Sequence, residues 1–413
     1  MDGLAGAHRA AVNVYFHTFG CKANQYDTEQ VQHAFTEHGA VVVDDPAVAD
    51  LAVINSCTVT HESEAKLRRF VRHVSRGGRA QTIVMGCAAA LDDGAIAALP
   101  SVRAVVANAD PATVLRAAGL ASPASVGAQH TAPLHRRRAL LKIQDGCDEH
   151  CTFCATTLAR GANRSRTVTE LVGEARMLAE HHAEIVLTGV HIGTYGVNPP
   201  APTLGQLLES LIEAVPGVRF RLSSVEATEV DDTLARLLIE APRHVAAHLH
   251  APLQSGSNRI LKRMGRHWYT AESYRARIEW LAERLPVFGL GADVIAGFPG
   301  ETDEDHHASL SLLHALPFTY LHVFPFSVRP DAPAARLPDA LTPAVIGARA
   351  RELRDLGEGK ARAYRAMRVG QRADGVVSGR AGGRVDVLTE DYLSVYLPTD
   401  RWDGRPRFDL IVD

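Results

Sequence analysis

The feature that most constrains this chain is where its cysteines fall relative to its β-rich runs. Cys21, Cys57 and Cys87 each close one of them: "FHTFGC", "AVINSC" and "IVMGC". Strands are expected at residues 12–19, 51–56, 82–86 and 102–107. Amphipathic stretches lie between them, such as "NQYDTEQVQHAFTEHG", which reads as a helix from an Asn cap to Gly39. This β-then-α alternation predicts a parallel sheet covered by helices. In such a sheet the C-terminal strand ends share one edge, where ligand crevices form. Three thiols from three loops then converge on one point. The plain alternative is three small core residues, since free cysteine is among the most buried types. Gly20 and Gly86, just before two of the cysteines, let the backbone pass close to a bulky group.

Residues 119–133, "GLASPASVGAQHTAP", are small, polar and proline-containing, and read as a linker. The alternation resumes near residue 140 through "LLKIQ", "EIVLTGV", "VRFRLSS", "VAAHLHA", "FGLGADVIAG" and "YLHVFPF". These strands, separated by helical stretches of ~10–15 residues, predict an open, partial β/α barrel. An arginine-rich helix is expected over about 343–367, and β-rich segments from there to the C-terminus suit a compact all-β module. The expected domains are residues 10–120, 134–342 and 366–413.

The remaining cysteines form a compact group. In "IQDGCDEHCTFCATT", Cys147, Cys151 and Cys154 follow the first barrel strand, which puts their loop at the C-terminal face. Thiolates are the usual ligands of iron-sulfur clusters. Three of them leave one iron of a four-iron cluster open to a small molecule. The alternative is a structural zinc with His150 as fourth ligand, although zinc sites usually pair two-cysteine knuckles rather than use CxxxCxxC.

Hydrophobic residues at 46% and charged residues at 22% describe an ordinary soluble globular chain. A net charge of -3 gives no whole-chain basic field, so a nucleic-acid partner needs a local patch. The N-terminus lacks a charged-then-apolar layout, and no apolar run approaches the ~18 residues of a membrane span. A cytoplasmic address is expected. In that reducing compartment the cysteines read as metal ligands or catalytic thiols rather than disulfides.

Together these residues carry a resemblance. CxxxCxxC after the first strand of a partial barrel is similar to the radical S-adenosylmethionine (SAM) superfamily. Three further cysteines in an upstream α/β domain, with a small β module at the C-terminus, resemble its methylthiotransferases. "GCKANQYDTE", "VINSCTVT", "IQDGCDEHCTFC", "EIVLTGVHIGTYG", "RLSSVE", "PLQSGSNRILKRM", "DVIAGFPGETDED" and "LHVFPFSVRPDAPAA" resemble the branch that modifies threonylcarbamoyl-adenosine in tRNA. The likeness runs from residue 12 to about 410.

The resemblance implies an α/β fold of three parts: an N-terminal Rossmann-like domain, a partial (β/α)6 radical SAM barrel, and a small all-β barrel of TRAM type that grips tRNA. It implies two [4Fe-4S] clusters. The cluster on Cys147, Cys151 and Cys154 would bind SAM and cleave it to methionine and a 5′-deoxyadenosyl radical, which takes hydrogen from C2 of the adenine. The cluster on Cys21, Cys57 and Cys87 would carry the sulfur, methylated by a second SAM. Thr188, Gly189, Glu226, Gln254 and Asp293 would meet SAM, with Ser255, Gly297 and Gly300 at the same strand ends. Implied partners are tRNA, an electron donor such as flavodoxin or ferredoxin, and a sulfur donor, with no membrane.

The chain departs from the family's pattern at "GCAAA", where relatives carry an aromatic and a glutamine, and at "ATTLARG", where they carry an aliphatic-proline-tyrosine run. Residues 366–413 hold seven arginines against eight acidic residues, so this module lacks a basic surplus. Phosphate contacts are then expected from Arg136, Arg137, Arg138, from "ARGANRSR" (159–166) and from the arginine-rich helix. Two other functions stay open: a methylthiotransferase with a protein side chain or small metabolite as acceptor, and a non-catalytic, metal-stabilised RNA-binding protein.

Overall fold

The structure is a computed structural model that describes residues 11–58, 61–77, 79–120, 138–196 and 201–413. From residue 121 onward the expected linker lies outside the described residues, as do Arg136 and Arg137. The chain divides into two compact units, one of Met1–His130 with the short excursion Leu158–Arg160, the other of Thr131–Thr157 and Gly161–Asp413.

The first unit runs β1 (Asn13–Thr18), α1 (Lys22–Glu37), β2 (Val41–Val43), β3 (Leu51–Ser56), α2 (His61–Gly77), β4 (Gln81–Gly86), α3 (Cys87–Ala90), β5 (Val102–Val106) and α4 (Pro111–Ala118). All five strands are parallel, in the order β2-β1-β3-β4-β5. The order reverses between β1 and β3, and in open α/β sheets that switch point is where a crevice opens at the carboxyl ends of the strands. Strand β3, "LAVINS", is buried along its whole length because helices cover both faces. Strand β2 was not expected. It is a three-residue edge strand whose "VVV" is too short to show a period.

One expectation needs correcting. Helix α1 starts at Lys22 with Cys21 at its N-cap, not at Asn24. The Asn24 side chain donates to Asn55 Oδ1 at 2.8 Å and to the Ser56 carbonyl at 3.0 Å, so it ties α1 to β3 rather than capping the helix.

The second unit begins with β6 (Ala139–Lys142) and β7 (Gln144–Asp145). After α5 (Thr156–Arg160), whose end belongs to the excursion, come β8 (Arg164–Ser165), α6 (Val168–Ala179), β9 (Glu184–Thr188), α7 (Leu204–Ala214), β10 (Arg219–Leu222), α8 (Asp232–Glu240) and β11 (His248–His250). It continues through α9 (Asn258–Arg263), α10 (Ala271–Ala282), β12 (Gly289–Ala296), α11 (Asp303–Ala315), β13 (Tyr320–Pro325) and α12 (Pro343–Arg368). Parallel ladders join β6-β9-β10 and β11-β12-β13, and bridges at Phe220–Val245 and Ser224–His250 link the two sheets into the expected partial barrel. Thr167 with Glu170, Thr203 with Gln206 and Thr302 with Asp305 form capping boxes that set where α6, α7 and α11 begin.

At the C-terminus β14 (Arg372–Ala381), β15 (Arg384–Thr389), β16 (Ser394–Pro398) and β17 (Arg407–Ile411) form an antiparallel sheet in the order β16-β15-β14-β17. Gly382 and Gly383, both at positive φ, make the two-residue turn between β14 and β15.

An ionic network centred on the fully buried Glu184 joins this sheet to the barrel. Glu184 Oε2 meets Arg219 Nη2 at 2.6 Å and Arg221 Nη2 at 3.0 Å, and Glu184 Oε1 meets Arg138 Nη1 at 3.2 Å. The same guanidiniums donate to the carbonyls of Leu388, Thr389 and Glu390. Glu184 and Arg219 open β9 and β10, so the network sits at the N-terminal ends of the barrel strands, opposite the cysteine loop. Burial alone would raise the Glu184 carboxyl, but the three guanidiniums overcome this and hold it far below the ordinary carboxylate range.

Candidate metal centres and cofactor site

In the second unit, the loop of Cys147, Cys151 and Cys154 hangs from β7. Gly146 (φ 73°) turns the chain there, and a Cβ at that position would lie 1.9 Å from the Ala162 carbonyl oxygen. The Cys147 N–H donates to the Gly161 carbonyl at 3.0 Å and the Cys154 N–H to the Cys151 carbonyl at 3.1 Å. Donors point at the sulfurs: the Glu149 N–H lies 3.4 Å from Cys147 Sγ, the Thr156 N–H 3.3 Å from Cys154 Sγ, and Arg266 Nη1 3.2 Å from Cys151 Sγ. Burial pushes the Cys151 thiol up to about 12, against the pull of Arg266, so only a strong local cation would make it a thiolate. Sulfurs supplied with donors, one of them needing a metal to ionise, fit a thiolate-ligated cluster. His150 is exposed beside the buried Cys151, which speaks against the zinc alternative.

Gln144, His191, Arg266, Trp268 and Tyr269 surround this loop and were not among the expected site residues. Gln144 Oε1 accepts the N–H groups of Val190 (3.0 Å) and His191 (2.9 Å), while its amide donates to the Gly146 carbonyl (2.6 Å) and Asn163 Oδ1 (2.9 Å). It thereby pins the cysteine loop to the "TGVHIG" turn. His191 lies 3.6 Å from Cys147 Sγ and 2.6 Å from Glu229. Arg266 stacks on Trp268 and Tyr269. Their only sequence signal was their place inside or beside motifs read for other residues.

The expected SAM contacts are placed as follows. Thr188 ends β9, buried, and a Cβ on Gly189 would lie 2.7 Å from the Gln144 carbonyl oxygen. Glu226 is buried, its carboxylate shared between Arg266 and Trp268 Nε1, and burial raises its pKa. Gln254 takes the left-handed conformation (φ 63°), rare for a side chain of its size, directly beside β12. Asp293 accepts from His250 Nε2 at 2.9 Å and His322 Nδ1 at 3.2 Å, and His250 Nδ1 meets Tyr320 at 3.0 Å. His250, Asp293 and His322 are close enough together for one cation, but they already hydrogen-bond to one another. Ser255 bonds Ser309 across to α11, while Gly297 and Gly300 sit at positive φ tight against Ile346 and Arg263, so all three shape the turns.

In the first unit, Cys21, Cys57 and Cys87 follow β1, β3 and β4, the three central strands at the switch point. A Cβ on Gly20 would lie 3.0 Å from Cys57 Cβ, and burial raises the Cys87 thiol above its ordinary pKa against the pull of Arg160. Cys21 is the N-cap residue of the 16-residue α1, and Cys87 opens the short α3. Asn24 and Asn55 hold the floor beneath them: Asn55 Nδ2 donates to the Asn24 carbonyl at 2.8 Å, and Cys21 lies 3.2 Å from Asn24 Oδ1. Three thiols following neighbouring parallel strands at one sheet edge, beside a polar floor, suit a second metal centre.

Among the described residues expected at phosphate, several are paired within the protein. Arg138 pairs with Glu184, Arg166 with Glu174 (2.8 Å), and Arg349 with Glu301 (2.8 Å). Arg351 and Arg354 of α12 are exposed.

Residues 141–313 match the Radical SAM superfamily, and residues 13–107 match a family described as Uncharacterized protein family UPF0004. With the cysteine loop at the barrel mouth, this defines a radical SAM enzyme. Among solved structures, the radical S-adenosylmethionine methyltransferase TsrM from Kitasatospora setae, with cobalamin and a [4Fe-4S] cluster bound, has a TM-score of 0.55 at 15% identity, over 79% of this chain and 77% of that one, a likeness of fold. Threonylcarbamoyladenosine tRNA methylthiotransferase MtaB of Bacillus subtilis is 38% identical over 85% of this chain and 81% of its own length. MtaB of Aquifex aeolicus is 32% identical over 93% and 96%. A tRNA-2-methylthio-N(6)-dimethylallyladenosine synthase from Sorangium cellulosum is 32% identical over 88% and 81%. The chain belongs to the radical SAM methylthiotransferases, of the MtaB type. The non-catalytic reading is thereby set aside.

Proposed function

We propose that the protein inserts a methylthio group at C2 of N6-threonylcarbamoyladenosine in tRNA, using SAM and two [4Fe-4S] clusters. The observation that carries this is the 38% identity to the Bacillus subtilis enzyme of that name over 81% of its length. In this reading residues 10–120, 134–342 and 366–413 are its three domains, the last being the TRAM-type grip on tRNA. Cys147, Cys151 and Cys154 hold one cluster; Cys21, Cys57 and Cys87 hold the other. When bound, the first supplies the electron that cleaves SAM and the second the sulfur that is transferred. Gln144 fixes the loop that presents the first thiol set, while Thr188, Gly189, Glu226, Gln254 and Asp293 line the place for SAM at the strand ends. Arg266 and Trp268 hold the Glu226 carboxylate in place. An electron donor such as flavodoxin or ferredoxin and a sulfur donor complete the cycle, in the cytoplasm. No helix among the described residues is long and apolar enough to cross a membrane.

Mass spectrometry of tRNA nucleosides from a strain lacking the gene tests this. Loss of 2-methylthio-threonylcarbamoyladenosine, restored by the gene, is the expected result. An unchanged level overturns the tRNA assignment in favour of a protein or small-molecule acceptor, and loss of the dimethylallyl nucleoside instead moves the acceptor within tRNA.

A further inference from the structure

We propose that Arg160 is a positioning residue for the metal centre on Cys21, Cys57 and Cys87, donating a charged hydrogen bond to the Cys87 sulfur from a side chain that Asp27 aims. The inference rests on the reading of those cysteines as cluster ligands. Arg160 ends α5, six residues beyond Cys154 in the chain, yet belongs to the first unit through the excursion Leu158–Arg160. Its Nε lies 3.2 Å from Cys87 Sγ and its Nη2 lies 2.9 Å from Asp27 Oδ2. Both side chains are about nine-tenths buried, at 10% and 7% exposed. Nε and Nη2 are the two parallel donors on one edge of the guanidinium, so a single planar fork spans sulfur and carboxylate.

The two partners do different things. A buried guanidinium without a counter-charge would be strongly unfavourable, and Asp27 removes that penalty while fixing the plane of the fork. With that plane fixed, Nε–H faces the Cys87 sulfur. Reduction potentials of iron-sulfur clusters depend on net charge and on hydrogen bonds to the sulfurs. A cation and an N–H at a ligand sulfur favour the more negative, reduced state, so Arg160 raises the potential of this centre. The residue falls in "ATTLARG", where the chain leaves its family's pattern, and in the run expected to reach RNA phosphate. Its geometry gives it a different target. The simpler alternative is an ion pair that anchors α5 and leaves the metal centre untouched.

The test uses the full chain with Cys147, Cys151 and Cys154 replaced by alanine, so that only the upstream set binds iron. After anaerobic reconstitution, the midpoint potential of the remaining cluster is read by electron paramagnetic resonance titration in the parent and in Arg160→Gln, Arg160→Lys and Asp27→Asn. The parent is expected to hold about four irons per chain. Arg160→Gln shifts the midpoint to more negative values. Arg160→Lys, which keeps the charge but loses the fork, shifts it less in that direction, whereas Asp27→Asn, which removes an anion and keeps Arg160, shifts it to less negative values. Should Arg160→Gln fail to load iron, the lysine and asparagine variants carry the comparison. Loaded variants with the parent's midpoint overturn the proposal and leave only the anchoring ion pair. A parent that binds no iron overturns the cluster reading itself, a distinct result.

Discussion

A Cβ built on Gly86 would stand 2.2 Å from Oδ1 of Asn55, so β4 can turn into Cys87 beside the Asn24–Asn55 pair only through a residue without a side chain. The backbone there, at φ 92° and ψ -157°, is a conformation open almost solely to glycine.

Gly86→Ala therefore destabilises the first unit by roughly 1–3 kcal/mol from backbone strain alone, with the clash added. Iron bound by the upstream cysteines should fall with it. Denaturant unfolding and an iron count in the background lacking Cys147, Cys151 and Cys154 check both. An alanine variant with parental stability and iron would remove the close approach from the account.

The two cysteine sets should separate functionally. Replacing Cys147, Cys151 and Cys154 by alanine abolishes formation of 5′-deoxyadenosine, measured by chromatography. Replacing Cys21, Cys57 and Cys87 leaves that cleavage but stops methylthio transfer. The intact protein should carry about eight irons and each triple variant about four. Transfer that persists without the upstream set would refute a two-centre reaction.

Gln144 pins the cysteine loop through bonds to Val190, His191, Gly146 and Asn163. Gln144→Ala leaves buried N–H groups unmatched, at a cost of about 1–3 kcal/mol. The loosened loop should slow SAM cleavage by roughly 10- to 100-fold, the scale on which a misplacement of about 1 Å acts. Thermal unfolding and single-turnover 5′-deoxyadenosine yield report the two effects separately.

Glu184→Gln strands three guanidiniums around a neutral amide and should cost about 3–5 kcal/mol at neutral pH, read by urea unfolding. The pH dependence has a definite sign. The folded-state pKa is depressed below its ordinary 4.5. The charged carboxylate thus contributes its full stabilisation above about pH 4.5, and that contribution drains away as pH falls toward the folded value. The gap between parent and variant should narrow on acidification below pH 4.5. A gap that widens there would contradict a charged Glu184.

Much of the candidate site was legible because its signals are local. A β-rich run ending in cysteine appears three times upstream, and CxxxCxxC lies within eight residues. The end of the first helical stretch at Gly39 was legible in the same way. Asn24 misled for the same reason. It looks like a cap from its neighbours alone, but its partner Asn55 is 31 residues away. Arg160 and the Glu184 network were invisible on similar grounds, since their partners lie 73 and up to 169 residues off in the chain.

By itself, then, the sequence determined the β/α alternation, the placement of thiols at strand ends and the family, because periodicity, turn chemistry and motif spacing act over a few residues. Only the tertiary structure decided which strands neighbour one another, where the sheet order reverses, and which buried charges meet. Those choices come from burying both faces of a sheet at once and from matching each buried ion to a partner, and such pairings leave no trace in the spacing of residues along the chain.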